Sequence, residues 1–363
     1  MKTFHFSKLF DNFQYREFKK SEIDILSRIF CILFIAVFLH SFLNVKCTEK
    51  SDKVKRNGFR VGVVFDAGGK DDKSFNTAAW EGASRAEKDF DIILKDVEPG
   101  DPSSIEPAIR ALAEDGFDLI FGIGFASAPY IESVAADFSN IKFSIIDSEA
   151  KGDNVSSAVF REHEGAFLVG MIAAMASKSK TIGLVGGMDI PLIRRFVMGY
   201  QAGAKYINPE INVIVNYAGV TTAAWSDPTK GKELALSQYS RGADVIFTAA
   251  GATGLGVFDA AENVNKLVIG CDSNQNWIKP GLVLTSMLKR VDVAVYSTIE
   301  DALNKNFKPG KQIFGLDNNG VGYAVDEYNK NLMTEEMVQK VDKAKEDIIS
   351  GKLKVPDYYE TLR

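Results

Sequence analysis

The sequence predicts an α/β protein of two Rossmann-like lobes, each built on a parallel sheet, with a ligand cleft between them. Three observations predict it. From Phe59 onward, short β-branched runs alternate with longer amphipathic stretches, the pattern of parallel strands joined by helical crossovers. That pattern is written twice. Polar residues, Asp147 and Asp272 among them, stand at the ends of the candidate strands, where open parallel sheets bind their ligands.

In chain order, the first half reads as strands over 60–65, 92–96, 119–123 and 142–146, with helices over 76–89, 105–115 and 128–137 between them. Each strand is a short apolar run bounded by turn or charged residues, as expected where helices cover both faces of a sheet. The second half opens on a helix over 164–176. Strands follow at 181–185, 211–216, 245–248, 267–270 and 283–286, interleaved with helices over 196–207, 230–240 and 257–264. Helices over 291–303 and 335–350 complete the chain.

The halves match residue by residue. Val61-Gly62-Val63, then Phe75 and Glu81-Gly82-Ala83, correspond to Ile182-Gly183-Leu184, Phe196 and Ala202-Gly203-Ala204 at a constant offset of 121. The run Gly116 to Phe121 corresponds to Gly242 to Phe247 at an offset of 126, and Asp147 then corresponds to Asp272. Three correspondences in order indicate duplication, hence a two-lobed clamshell. The expected organisation is a signal or anchor segment over 1–47, a linker over 48–58, and a first lobe over 59–160 with a return segment at about 285–315. The second lobe is expected over 161–284, with a C-terminal segment at about 316–363.

The leader follows from the apolar run Ile29 to Leu39, 11 residues long and too short to span a bilayer, which needs about 20. Lys19, Lys20 and Arg28 precede it, and a polar linker begins at Cys47. Export is expected, with Cys47 as the candidate lipid-bearing residue and the membrane reached through the leader or that anchor.

Composition narrows the function. The chain has 363 residues, 46% of them hydrophobic and 25% charged, enough for a substantial core. A net charge of −5 gives no general attraction for nucleic acid. Three His and three Cys, without CxxC or HxxxH spacing, argue against zinc enzymes, dithiol redox proteins and disulfide scaffolds. No metal, cofactor or catalytic residue is expected.

The strand ends hold the candidate chemistry. After the first strand comes Asp66-Ala67-Gly68-Gly69, then Asp71-Asp72-Lys73-Ser74-Phe75-Asn76. Asp72 or Ser74 could cap the next helix, while Phe75 beside Asn76 could stack on a planar ligand and hydrogen-bond its edge. The loop Gly251-Ala252-Thr253-Gly254 lacks both the dinucleotide fingerprint and the phosphate-binding lysine. Close backbone approach to a ligand, or tight helix–strand packing, suits it better than phosphate. Asp147 and Asp272 are expected to meet solvent, a ligand hydroxyl or a cation, with Lys289 available to pair with one of them. Arg194-Arg195 reads as a solvated helix start, and Glu162-His163-Glu164 as surface.

These motifs resemble the basic membrane protein family, the bacterial purine nucleoside receptor lipoproteins that serve ABC transporters. The resemblance rests on Asp66, Asp71 to Asn76, Trp80-Glu81-Gly82, Glu164 to Gly170, Gly186-Gly187-Met188 and Gly199 to Gly203. It continues through Ser226 to Gly231, Ala250 to Gly254 and Leu284 to Arg290. It implies the architecture of type I periplasmic binding proteins and a purine nucleoside (inosine, guanosine or adenosine) in the cleft. It also implies ABC permease and ATPase partners, and a monomer is expected. By resemblance, Phe75 and Phe247 sandwich the base, and Asp66 and Asn76 take its edge. Asp147, Asp272, Lys289 and backbone near Gly251 take the ribose. The chain departs from the family's pattern at Ser273-Asn274-Gln275, where a further acid is common, and before Cys47. A sugar or other small solute in the same fold remains an alternative, as does a nucleoside-processing enzyme.

Overall fold

A computed structural model describes residues 58–362 of the chain. The expected leader, Cys47 and nearly all of the linker lie outside the described residues. The first sheet contains β1 (Arg60–Val64), β2 (Ile93–Val97), β3 (Leu119–Gly122), β4 (Lys142–Ile146), β5 (Val155–Phe160) and β11 (Gly310–Phe314). The second contains β6 (Thr181–Met188), β7 (Asn212–Gly219), β8 (Val245–Ala249), β9 (Leu267–Asp272), β10 (Val283–Lys289) and β12 (Val321–Tyr323). Strand orders are β11-β5-β4-β3-β1-β2 and β12-β10-β9-β8-β6-β7. Every pairing is parallel except that of β12 with β10.

The helices are α1 (Phe75–Phe90), α2 (Ile105–Glu114), α3 (Ala128–Asp137), α4 (Glu162–Ala176), α5 (Pro191–Ile207), α6 (Pro228–Ser240), α7 (Gly254–Val264), α8 (Val291–Leu303) and α9 (Glu335–Ile349). Strands β3 and β8 are buried at every residue, which is why each reads as a continuous apolar run. The repeated Gly82 and Gly203 have a shared packing role. A Cβ on Gly82 would stand 2.3 Å from the Asp292 carbonyl oxygen of α8, and one on Gly203 would stand 1.9 Å from that of Phe167 in α4. Glycine at the repeat position therefore lets α1 and α5 lie directly on α8 and α4.

The chain passes between the sheets three times: after Phe160, after Lys289, and between Phe314 and Val321. The return expected at about residue 285 thus begins later. Val283–Lys289 is hydrogen-bonded to β9 and stays in the second sheet. Strands β5, β11 and β12 carry little apolar signal of their own. β5 has two central serines, β11 is a half-exposed edge and β12 is three residues long. Helix α5 begins at Pro191, before the expected 196, because Arg194 and Arg195 interrupt the apolar pattern without interrupting the helix.

Candidate functional site

The loop after β1 is organised around two carboxylates. Asp72 Oδ1 accepts from the backbone N–H groups of Ser74 and Thr77 at 2.8 and 3.0 Å. Its Oδ2 accepts from the backbone N–H of Asn76 at 3.0 Å and the Asn76 side-chain amide at 3.2 Å. Asp72, not Ser74, therefore caps α1. Burial pushes its carboxyl up to about 7 despite these donors. The Asn76 amide nitrogen also donates to Asp66 Oδ1 at 2.7 Å, which accepts from Gly68 N–H at 2.8 Å as well. With both N–H directions occupied, Asn76 leaves its Oδ1 buried and unpartnered. Gly124, at φ 90°, keeps space beside Asp66, since a Cβ there would lie 2.8 Å from Oδ2.

Strand ends from both sheets supply the opposite side. Asp147 follows β4 and Asp272 ends β9, and both hold left-handed backbone at φ 73° and 66°. That shared, uncommon conformation shows the duplication preserved in three dimensions. Lys289 Nζ, at the end of β10, donates to Asp147 Oδ2 at 2.5 Å and lies 3.4 Å from Glu162 Oε1. Asp147 Oδ1 is buried without a partner. Ser74 Oγ donates to Asp272 Oδ2 at 2.6 Å, joining the first loop to the second sheet.

Burial raises the carboxyls of Asp66, Asp147 and Asp272. Burial alone would lower the Lys289 ammonium, but Asp147, Glu162 and Asp272 raise it and keep it protonated. With Glu162 paired to Arg195, Asp147 and Asp272 beside the one ammonium cannot both ionise without net negative charge in a buried space. Ligand hydroxyls that donate to those acids relieve this cost.

These groups line a cavity of about 60 Å³ walled by Phe75, Phe125, Phe196 and Trp225. Asp66, Asn76, Gly251, Asp147, Asp272 and Lys289 all reach it. A larger groove of about 970 Å³ shares Phe125 and Asp147 with it. Asn76 and Asp147, each with an unpaired acceptor, both line the smaller cavity, so it is the candidate ligand site. Trp225 is seated against Gly187, where a Cβ would come within 2.1 Å of the indole. Gly251, at φ 57°, adopts backbone that favours glycine beside the Trp225 carbonyl.

Seven of the eight expected ligand residues meet at this cavity. Phe247 does not. Its ring is fully buried inside β8, packed against Phe196 at 6.3 Å and Tyr200 at 5.3 Å between centroids. Phe196, which packs on Phe247, itself lines the cavity, and it is the repeat partner of Phe75, 121 residues on. The offset that aligned the halves already pointed to it. Phe125 and Trp225 carried no such signal, although Trp225 directly precedes the Ser226-Asp227-Pro228 motif.

The surface assignments of Arg195 and of Glu162 to Glu164 are also corrected. Arg195 is 5% exposed and Glu162 1% exposed. Arg195 donates to Glu162, to the Phe160 carbonyl and to Asp357. His163 is buried beside it, and burial together with the Arg195 charge lowers its imidazole to about 4. Glu164 accepts from the Leu316 N–H at 2.9 Å. Polar segments of this kind read as exposed because their partners lie far away in sequence.

The profile of the Bmp family, described as "ABC transporter substrate-binding protein PnrA-like", matches residues 59–358. The chain is 35% identical to the "CD4+ T-cell-stimulating antigen" of Listeria monocytogenes, over 91% of this chain and 99% of that protein. It is also 35% identical to the "ABC transporter nucleoside-binding protein BmpA" of Lactococcus lactis, over 84% of this chain and 91% of that one. Among solved structures, a solute-binding protein of an ABC transporter system from Aeropyrum pernix superposes with a TM-score of 0.76 at 31% identity. That match covers 83% of this chain and 96% of the other. The architecture is that of the type I periplasmic binding proteins.

Proposed function

The chain belongs to the PnrA-like family of ABC transporter substrate-binding proteins, and on that premise we propose that it captures a purine nucleoside between its two sheets and delivers it, chemically unchanged, to a membrane permease. One observation carries the reading. Asn76 and Asp147, each with a buried side-chain oxygen that has no hydrogen-bond partner, line one aromatic-walled cavity. A nucleoside matches that arrangement: a flat apolar body, donors on one edge, and hydroxyls on the attached sugar.

The roles follow from position. Phe75, with Phe196, Phe125 and Trp225, supplies faces for the base, and Asp66 and Asn76 read its edge. Asp147, Asp272, Lys289 and the Gly251 backbone hold the ribose. Stacking contributes about 1–3 kcal/mol per base, and hydrogen bonds to charged groups about 1.5–3 kcal/mol each. Set against an association cost of about 4–15 kcal/mol, several of these together reach micromolar binding, about 8 kcal/mol net, at the favourable end of both ranges.

The polarity of Asn76 favours particular purines. Its amide nitrogen is occupied by Asp66 and Asp72, so it offers the ligand an acceptor only. Asp66 adds a second acceptor. Guanine presents two adjacent donors to such a pair, hypoxanthine one, and adenine an amino group beside a ring acceptor. Guanosine is therefore the favoured ligand, followed by inosine and then adenosine.

The chain is proposed to work outside the cytoplasm, attached to the membrane through its leader or a lipid on Cys47, in partnership with ABC permease and ATPase subunits. The test is calorimetric titration of the chain, unfolded and refolded to strip bound ligand, with guanosine, inosine, adenosine, uridine and ribose. Purine nucleosides are expected to bind tightest, and Phe75→Ala to weaken them. Binding of ribose alone, or of none of the five, overturns the proposal.

A further inference from the structure

Arg195 lines the large groove next to the ligand cavity, yet every edge of its guanidinium is occupied. Its Nε and Nη2 donate to Oδ1 and Oδ2 of Asp357 at 2.7 and 2.8 Å, a two-pronged pair from the C-terminal segment. Its Nη1 donates to Glu162 and to the Phe160 carbonyl at 2.5 Å. Nη2 also lies 3.0 Å from His163 Nδ1, and the Tyr359 ring lies 4.6 Å from the guanidinium carbon. Glu162 links this cluster to Lys289 at 3.4 Å, and Lys289 holds Asp147. Asp147 lines both the inner cavity and the groove, so the two spaces meet there.

This arrangement bears on what the ribose may carry. A ribose held at Asp147 sits where cavity and groove join, and a substituent on it has the groove to enter. Arginine is the side chain best shaped to take a phosphate, through paired N–H donors in one plane. A free Arg195 in this groove would be such a clamp. Asp357 takes the same two donors that a phosphate would need, and its carboxylate adds repulsion.

We propose that Asp357 is a specificity-determining residue: by engaging Arg195 with both carboxylate oxygens it closes the ribose end of the cleft to phosphorylated nucleosides. Discrimination here comes from a built-in unfavourable contact with the wrong ligand as much as from contacts with the right one. The inference rests on the nucleoside reading given above.

Its test compares the full chain with Asp357→Ala and Asp357→Asn, each titrated with guanosine and with guanosine 5′-monophosphate. Guanosine affinity is expected to stay within about threefold in all three proteins, because Asp357 does not line the inner cavity. The parent chain is expected to bind the monophosphate at least about a hundredfold more weakly than guanosine. Asp357→Ala should then tighten the monophosphate by about tenfold, and adding Arg195→Gln should abolish that gain. Asp357→Asn removes the charge while keeping the shape of the contact, so it carries the test if the alanine variant does not fold. Variants that refuse the monophosphate as strongly as the parent overturn the inference, as does a parent that binds both ligands equally. A parent that binds neither ligand overturns the nucleoside reading itself, and this inference with it.

Discussion

Lys289 Nζ lies 2.5 Å from Asp147 Oδ2, so an ammonium at the end of a second-sheet strand neutralises a carboxylate at the end of a first-sheet strand. Both side chains are almost wholly buried, at 2% and 7% exposure. Removing one partner of such a pair typically costs about 3–5 kcal/mol, because the other charge is left without compensation. Lys289→Met is expected to destabilise the ligand-free protein by that order. The double variant Lys289→Met with Asp147→Asn should be more stable than the single effects predict when added. Urea denaturation of the four proteins measures the coupling directly.

The aromatic residues divide into two groups that binding and stability measurements separate. Phe75→Ala and Trp225→Ala are expected to weaken nucleoside binding by about 1–3 kcal/mol each, the usual worth of a stacked base. Both rings are half-buried at the cavity, so the fold should tolerate their loss better. Phe247→Ala should instead cost about 3–5 kcal/mol of stability, since it empties a fully buried site. Calorimetric titration alongside denaturant melts checks all three.

Gly187 sets the position of the Trp225 ring. A methyl group there would stand 2.1 Å from the indole, nearer than any non-bonded carbon can come. Gly187→Ala is therefore expected to displace Trp225 and weaken nucleoside binding by about tenfold. A shift in tryptophan emission should accompany the loss. Unchanged emission together with unchanged affinity would contradict the assignment.

His163 gives the pH dependence of stability a definite sign. Its imidazole is lowered from 6.5 to about 4, first by burial and then by the neighbouring Arg195. The unfolded chain takes up this proton near pH 6.5, whereas the folded protein resists it until about pH 4. The contribution is full above pH 6.5 and is lost as the pH falls through that interval, about 3 kcal/mol in all. The buried Asp72, raised to about 7, acts oppositely and removes stability as the pH rises from about 4 to 7. The difference between the parent and His163→Gln isolates the histidine: it should be larger at pH 7 than at pH 4 in matched denaturant titrations.

The duplicated α/β pattern made most of the fold legible, because a strand between two helix layers must be apolar throughout and a helix on a sheet must be apolar on one side. The pattern failed at β5, β11 and β12, where serines, edge exposure or brevity erase the apolar run. At the site, strand ends and repeat offsets marked Asn76, Asp147, Asp272 and Lys289 as candidates and the resemblance added Asp66; the topology brings all five to the lining of one cavity. Phe247 was assigned by resemblance alone, and neither a motif nor a strand position tells a residue facing the cleft from one behind it. The Arg195 cluster was unreadable for a different reason. Its charges are satisfied by Asp357, 162 residues away, and local polarity cannot report a partner at that distance.

The second passage of the chain sets an order on how the protein can be made. Strand β11, which covers the edge of β5, is synthesised after all but one strand of the second sheet. Until residue 314 has been made, the first sheet keeps a bare row of peptide groups along β5, and closing that gap brings together segments about 150 residues apart. Neither sheet can therefore mature as a contiguous nascent domain. The two must finish together, once residues 310–323 have been made, so a fragment cut between the two halves of the repeat would not hold half of this molecule.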